Sequence, residues 1–281
     1  MIPKLLQEIS NPPKEIFILG ELPPEDILKI SIIGTRKATI EGKNIARQLS
    51  FELTNLGFII VSGLAMGIDT AAHEGCLQAN GITIAVLANG LNKIYPAQNE
   101  NLARKILENK GAIISEYPPG TPAYKDNFLN RNRIISGLSI ASIIIEAPFS
   151  SGALSTANYA AEQGREVFVI PGPINHPNYS GSHKLIRDGA RIITSLEDIL
   201  EDLGLENLKI KNQNKKQTQN IKKIQNQTQA LIFKIIKESG KPLNIDRIIE
   251  LTKLEPQAVN QEIALMIINE IIKENEKGYT I

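Results

Sequence analysis

Three features of residues 15–200 predict a doubly wound α/β fold with a mostly parallel sheet. Short apolar runs alternate with segments of helical periodicity. Most of the runs are almost continuously hydrophobic, the pattern of strands covered on both faces. Nearly every run ends in a glycine-containing turn, where a strand would hand over to a helix.

Taken in order, the chain opens on a proline-rich lead-in (Pro3, Pro12, Pro13, Pro23, Pro24), expected to be irregular apart from a short strand at 15–19. Further strands are predicted at 30–33, 58–61, 83–87, 112–114, 143–145, 167–170 and 191–193. Between the first two, Ile45, Leu49, Leu53 and Leu56 form one helical stripe, with Gly57 as its stop. Leu102, Ile106 and Leu107 form another ahead of Gly111. Cys76 falls among Ala71, Ala72, Gly75 and Ala79, a small-residue face suited to close packing rather than nucleophilic chemistry. Residues 206–229 read as a linker: its 209–229 stretch holds six lysines, no arginine and no acid, and is rich in Asn and Gln. A small unit follows at 230–281, with helices expected at 230–238, 245–251 and 256–267 and a β-hairpin after them.

Composition narrows the function classes. The 281 residues carry 31 Lys+Arg against 30 Asp+Glu, a formal charge of +1, and removing the lysine-rich stretch leaves −5 for the rest. A protein that coats nucleic acid by general basicity is excluded, whereas a local cationic groove is not. A single cysteine excludes a disulfide scaffold. No apolar run approaches the roughly 20 residues of a membrane span, so no membrane partner and a cytoplasmic location are expected. No P-loop and no G-x-G-x-x-G after the first strand is present, and the three histidines lack zinc-site spacing. No metal and no cofactor are expected. Asp69 and Glu146 stand near strand ends without a paired nucleophile, and Asp69 is expected to cap the helix that follows it.

In doubly wound sheets ligands sit beyond the carboxyl ends of the strands, where helix N-termini offer unpaired N–H groups. The turns there read Gly34-Thr35-Arg36-Lys37, Ser62-Gly63 through Asp69, Ala88-Asn89-Gly90, Ser115 through Gly120, Ser150-Ser151-Gly152 with Thr156, and Pro171-Gly172-Pro173. Glycines admit a close ligand, and hydroxyls and Arg36 add donors, which favours an anion-binding rim. Asn127-Phe128-Leu129-Asn130-Arg131-Asn132-Arg133 sets an aromatic ahead of an Arg-Asn-Arg triplet at an expected helix start. Arginine there opposes the helix dipole but suits phosphate, and an exposed Phe128 suits a base. The competing reading packs Phe128 in the core and pairs the arginines with Glu116, Asp126 or Glu146. His183, beside Gly181 and Lys184, is the histidine best placed for an anion.

These motifs resemble the DprA/Smf family of DNA-processing proteins. The matching elements run in order over residues 15–200: Ile33-Gly34-Thr35-Arg36, Ser62 through Asp69, Gly90 with Tyr95-Pro96, Ser115-Glu116-Tyr117-Pro118, Arg131 through Leu138, Ser151-Gly152 with Thr156-Ala157, and Pro171-Gly172-Pro173. The resemblance implies an extended Rossmann-like fold, single-stranded DNA binding, a homodimer, and loading of the RecA recombinase during transformation. It places Arg36, Phe128, Arg131 and Arg133 along the DNA groove, with Gly34, Ser62, Gly63, Ser151, Gly152 and Lys184 beside them. Thr35, Lys37, Asn130, Asn132, Thr156 and His183 complete the expected DNA-binding set. Residues 230–281 resemble the winged-helix unit of many members, which would contact duplex DNA or protein. The dimer surface is open; Ile192, Ile193, Leu196, Ile199 and Leu200 are candidates for it unless they are core. A nucleotide-processing enzyme resembling the LOG-type phosphoribohydrolases is the alternative. Its catalytic motif ends in Glu, where this chain has Tyr159, so binding without catalysis is expected.

Overall fold

The computed structural model describes residues 2–208, 226–269, 271–275 and 277–280. They divide into two compact units, Met1–Glu206 and Asn207–Ile281. In the first, strands β1 (Phe17–Gly20), β2 (Lys29–Ile33), β3 (Ile59–Ser62), β4 (Thr83–Val86), β5 (Ala112–Ser115), β6 (Ala141–Ile144), β7 (Glu166–Val169) and β8 (Arg191–Ile192) form one sheet. Its helices are α1 (Lys4–Gln7), α2 (Ile40–Asn55), α3 (Ile68–Gln78), α4 (Glu100–Glu108), α5 (Lys125–Gly137), α6 (Gly152–Glu162), α7 (Ser180–Arg187) and α8 (Leu196–Asp202).

The strand order is β1-β5-β4-β3-β2-β6-β7-β8. All pairs are parallel except β1 with β5, where Phe17 faces Ser115. Strands β2 to β6 are buried along their whole length, as their unbroken apolar runs require. From β2 the chain steps out through β3, β4 and β5, then returns to lay β6 on the other side of β2. The boundary between β2 and β6 is therefore the switch point, where the loops beyond the two strands part and leave a crevice.

Two local differences from the sequence reading have simple causes. The lead-in is irregular as expected around its short strand, except that Lys4–Gln7 forms the one-turn helix α1, and Leu6 and Ile9 pack on Ile134, Ile135 and Leu138. A single turn is too short to show periodicity. Strand β6 starts at Ala141 rather than 143: Ala141 and Ser142 pair with Ile30 and Ser31 of β2, but Ser142, whose hydroxyl accepts from the buried Ser31 hydroxyl at 2.7 Å, gives no apolar signal in sequence. Helices α2 and α3 approach closely, as the small-residue face implies: a Cβ on Gly75 would lie 2.1 Å from the Arg47 carbonyl oxygen. Cys76 is fully buried there, and burial pushes its thiol up to about 11. Of the apolar residues at the end of this unit, Ile193, Ile199 and Leu200 belong to the core, while Ile192 on edge strand β8 is half exposed.

The second unit holds α9 (Gln227–Ser239), α10 (Ile245–Thr252), α11 (Pro256–Ile268) and an antiparallel hairpin, β9 (Lys273–Asn275) with β10 (Gly278–Thr280). Helix α9 begins earlier than the sequence reading has it, inside the expected linker, because the Asn226 side chain caps it by accepting from the Gln229 N–H at 2.8 Å. Ile232, Phe233, Ile236, Ile248, Val259, Ile263 and Met266 form its own core. Residues 209–225, most of the expected linker, lie outside the described residues. Among the described residues no helix is long and apolar enough to cross a membrane.

Candidate nucleic-acid interface

The crevice at the switch point is held open by a buried carboxylate. Glu146, just beyond β6, is fully buried and accepts from the Thr39 N–H at 3.0 Å, the Thr39 hydroxyl and the Asn178 amide at 2.8 Å. Its backbone carbonyl accepts from the Thr35 N–H at 2.7 Å. With its oxygens committed to donors, Glu146 braces the turn after β2. Gly67 completes the brace: its φ is +87°, and a Cβ there would stand 2.4 Å from the Thr35 carbonyl oxygen. The turn so fixed presents Arg36 and Lys37 to solvent.

Helix α5 corrects the reading of the Arg-Asn-Arg triplet. The triplet sits in the middle of Lys125–Gly137, not at its start, so the dipole has no bearing on it. Residues two apart on a helix point about 200° apart, and the two arginines take opposite roles. Arg131 turns toward the crevice and forms part of its floor, donating to the Gly63 carbonyl at 2.7 Å and to the Val86 carbonyl. It is 4 % exposed and its Nε has no partner among the described residues. Burial lowers its guanidinium to about 10 against the pull of Asp69, with Arg36 lowering it further. Arg133 turns away and forms a two-armed ion pair with Glu116 (2.6 and 2.8 Å), while its Nε donates to the Asn11 carbonyl at 2.9 Å. It belongs to the packing of the unit, not to the groove.

Asp69 also departs from expectation. It lies inside α3, and its carboxylate accepts from the Gly63 and Ala65 N–H groups at 3.1 and 3.3 Å, clasping the loop before the helix rather than capping the helix. Burial raises its pKa while Arg131 and those donors lower it.

Above the floor, the Arg36 guanidinium lies 4.8 Å from the centre of the Phe128 ring, a cation–π stack. Phe128 meets Tyr95 at 5.6 Å, tilted by 58°. The opposite wall is the start of α6, where the Ser151 hydroxyl accepts from the Ala153 N–H at 3.2 Å and Gly152 is exposed. The Asn132 amide crosses from α5 to the Gly152 carbonyl at 3.1 Å, tying the two walls.

The result is a cleft of about 450 Å³. It brings together Gly34, Thr35, Arg36, Lys37, Phe128, Arg131, Asn132, Ser151, Gly152 and Thr156. The other predicted residues are placed elsewhere. Ser62 is fully buried and donates to the Ile32 carbonyl at 2.7 Å. Gly63 supports Arg131 from behind, with room for no Cβ: one would lie 2.3 Å from Nη1. Asn130 is exposed on α5, its carbonyl taken by Arg133. His183 lies 3.1 Å from the Gly172 carbonyl and stacks on Tyr179, and Lys184 pairs with Asp188 at 3.3 Å. Ser150, read in sequence as one of the rim hydroxyls, lines the wall, whereas the sequence reading gave no role to Tyr95, Leu129 or Pro148. Tyr95 was signalled by its place in a turn beyond a strand; the others carry no chemical signal in sequence. Chemically, one floor arginine, a rim arginine and lysine, hydroxyls and a helix N-terminus suit phosphate, and the ring pair suits a planar base. Among the described residues no group of His, Cys, Asp or Glu could hold a metal ion.

Comparison with known proteins assigns the first unit. The family model described as DNA recombination-mediator protein A matches residues 1–204. Protein Smf of Escherichia coli K12 is 45% identical over 201 residues, covering 72% of this chain and 54% of the relative. The DNA processing protein DprA of Bacillus subtilis is 43% identical over 210 residues, covering 73% and 69%. The X-ray structure of DprA from Streptococcus pneumoniae superposes with a TM-score of 0.67 at 41% identity, over 71% of this chain and 70% of that one. A Helicobacter pylori DprA structure, described by its single-stranded DNA binding mode, gives 0.66 at 34% identity over 72% and 93%. This chain spans about half the length of Smf from E. coli and from Synechocystis (54% and 52%). With the whole first unit matched and the cleft intact within it, the chain belongs to the DNA recombination-mediator protein A family.

Proposed function

We propose that the crevice between β2 and β6 binds single-stranded DNA with little sequence preference, and that the protein passes the bound strand to the RecA recombinase. The carrying observation is the Arg36–Phe128 stack at the edge of a glycine-lined cleft whose far wall is a helix N-terminus. Phosphates would lie against Arg36, Lys37 and the first amides of α6, and a base on Phe128. The single-stranded DNA binding named for the H. pylori relative supports this reading. Binding is not followed by chemistry: Glu146 is saturated with donors, and Tyr159 stands where a phosphoribohydrolase would carry its glutamate.

The second unit is a winged helix that contacts protein rather than duplex DNA. Helix α11, which would enter a groove, contains no Lys or Arg and one Glu. The protein works as a homodimer in the cytoplasm, and the half-exposed Ile192 on edge strand β8 is its candidate contact.

Hydrogen exchange with and without an oligothymidylate tests the site. Added protection should concentrate in residues 34–37, 124–132 and 150–156; protection confined to other segments overturns the assignment. The hand-over is tested by RecA assembly on a strand already coated by single-strand-binding protein, which the full chain should accelerate. Release of free base from AMP would overturn the non-enzymatic reading.

A further inference from the structure

The β6 side of the crevice carries an aromatic side chain that the fold does not use. Phe149 is 68 % exposed, and among the described residues it joins none of the hydrophobic clusters and has no ring or cation stacked on it. Its neighbours Pro148 and Ser150 both line the cleft, which puts the Phe149 backbone at the cleft's edge.

The backbone beneath it is fixed. The Phe149 N–H donates to the Ser180 hydroxyl at 2.9 Å, and the Ala147 N–H to the Ser182 hydroxyl at 3.2 Å. The Ala147 carbonyl accepts from the Gly181 and Ser182 N–H groups at 2.8 and 3.1 Å, and the Ser151 N–H donates to the Pro148 carbonyl at 2.9 Å. Gly181 lets α7 press against this turn, since a Cβ there would stand 2.7 Å from the Ala147 carbonyl oxygen. A phenyl ring held out to water on so braced a backbone is a preorganised contact surface.

Strand order places it. Tyr95, which packs on Phe128, follows β4, whereas Phe149 follows β6, on the other side of the switch point.

We propose that Phe149 is a second base-stacking platform, so that a strand crossing the crevice rests one base on Phe128 and a later one on Phe149. This rests on the single-stranded DNA reading of the cleft. Both platforms present only a π-face, which every base can use, so the second contact adds affinity without sequence preference.

The test is titration of the full chain and of Phe149→Ala, Phe149→Trp, Phe128→Ala and Arg36→Ala with two labelled oligomers. One is an oligothymidylate; the other has the same length and backbone but only abasic sites. Phe149→Ala should weaken oligothymidylate binding about 10-fold and leave the abasic oligomer unaffected, and Phe149→Trp should keep wild-type affinity. Full affinity of Phe149→Ala for oligothymidylate, with Phe128→Ala and Arg36→Ala impaired, overturns the second platform and leaves the cleft reading standing. Equal loss on both oligomers also overturns it, because the ring would then be acting through the loop. Full affinity in all four variants overturns the cleft reading itself.

Discussion

Arg36 and Arg133 carry the same guanidinium, and their surroundings give them different work. Arg36 is exposed over the Phe128 ring, free to meet a phosphate, while Arg133 is buried and committed to Glu116. Removing Glu116 strands a buried cation, so Glu116→Ala should lower unfolding free energy by about 3 kcal/mol, measured in urea, without changing the folded protein's affinity for oligothymidylate. His73 supplies a pH dependence. Burial, with repulsion from Arg131, pushes its imidazole from 6.5 down to about 3. Between those values the unfolded chain binds a proton that the native chain refuses, so stability falls as pH drops below 6.5. The loss should reach about 2 kcal/mol at pH 5, and urea midpoints of His73→Gln should show a flatter profile over the same range. At this scale the sequence was only partly legible. Arg36 and Phe128 could be picked out by residue type and turn context. Arg131 and Arg133 could not be told apart, because a misplaced helix start hid their divergence around α5.

At the level of elements, the site depends on loops that are pinned rather than on loops that move. Gly67→Ala combines a positive φ with a collision at the Thr35 carbonyl. It should destabilise the protein by about 1–3 kcal/mol and weaken DNA binding more than its distance from the strand would suggest, because the turn carrying Arg36 shifts. The end of the unit gives an independent check. Ser195 and Asp198 form a reciprocal cap on α8, and Ser195→Ala should cost about 1 kcal/mol in thermal unfolding with no effect on binding. Asp198 is held down to about 2, chiefly by the Thr194 N–H, so its contribution is complete above its ordinary 3.8 and fades as pH falls through 2. Most strands were legible because buried parallel strands are written in unbroken Ile, Val and Leu. The start of β6, written in Ala and Ser, and the single turn α1 were not.

For the whole molecule, topology does what composition cannot. A net charge of +1 averages a lysine-rich stretch against a remainder of −5, yet reversal of strand order at β2 and β6 gathers Arg36, Lys37 and Arg131 around one cleft. The doubly wound fold was readable from alternation and run length, and the crevice from the glycine turns. The Glu146 brace was not, because it joins positions 39, 146 and 178 that only the fold brings together. The second unit has a separate core, so a chain ending at residue 206 should bind short oligothymidylate as tightly as the full chain while losing stimulation of RecA assembly. The most direct test of the central claim is the salt dependence of oligothymidylate affinity in wild type and in Arg36→Ala/Lys37→Ala. Each phosphate contact on a single strand contributes about 0.7 to the slope of log K against log salt. Loss of both cations should therefore reduce the slope by about 1.4 along with the affinity. An unchanged slope would contradict a phosphate-binding groove at this edge of the sheet.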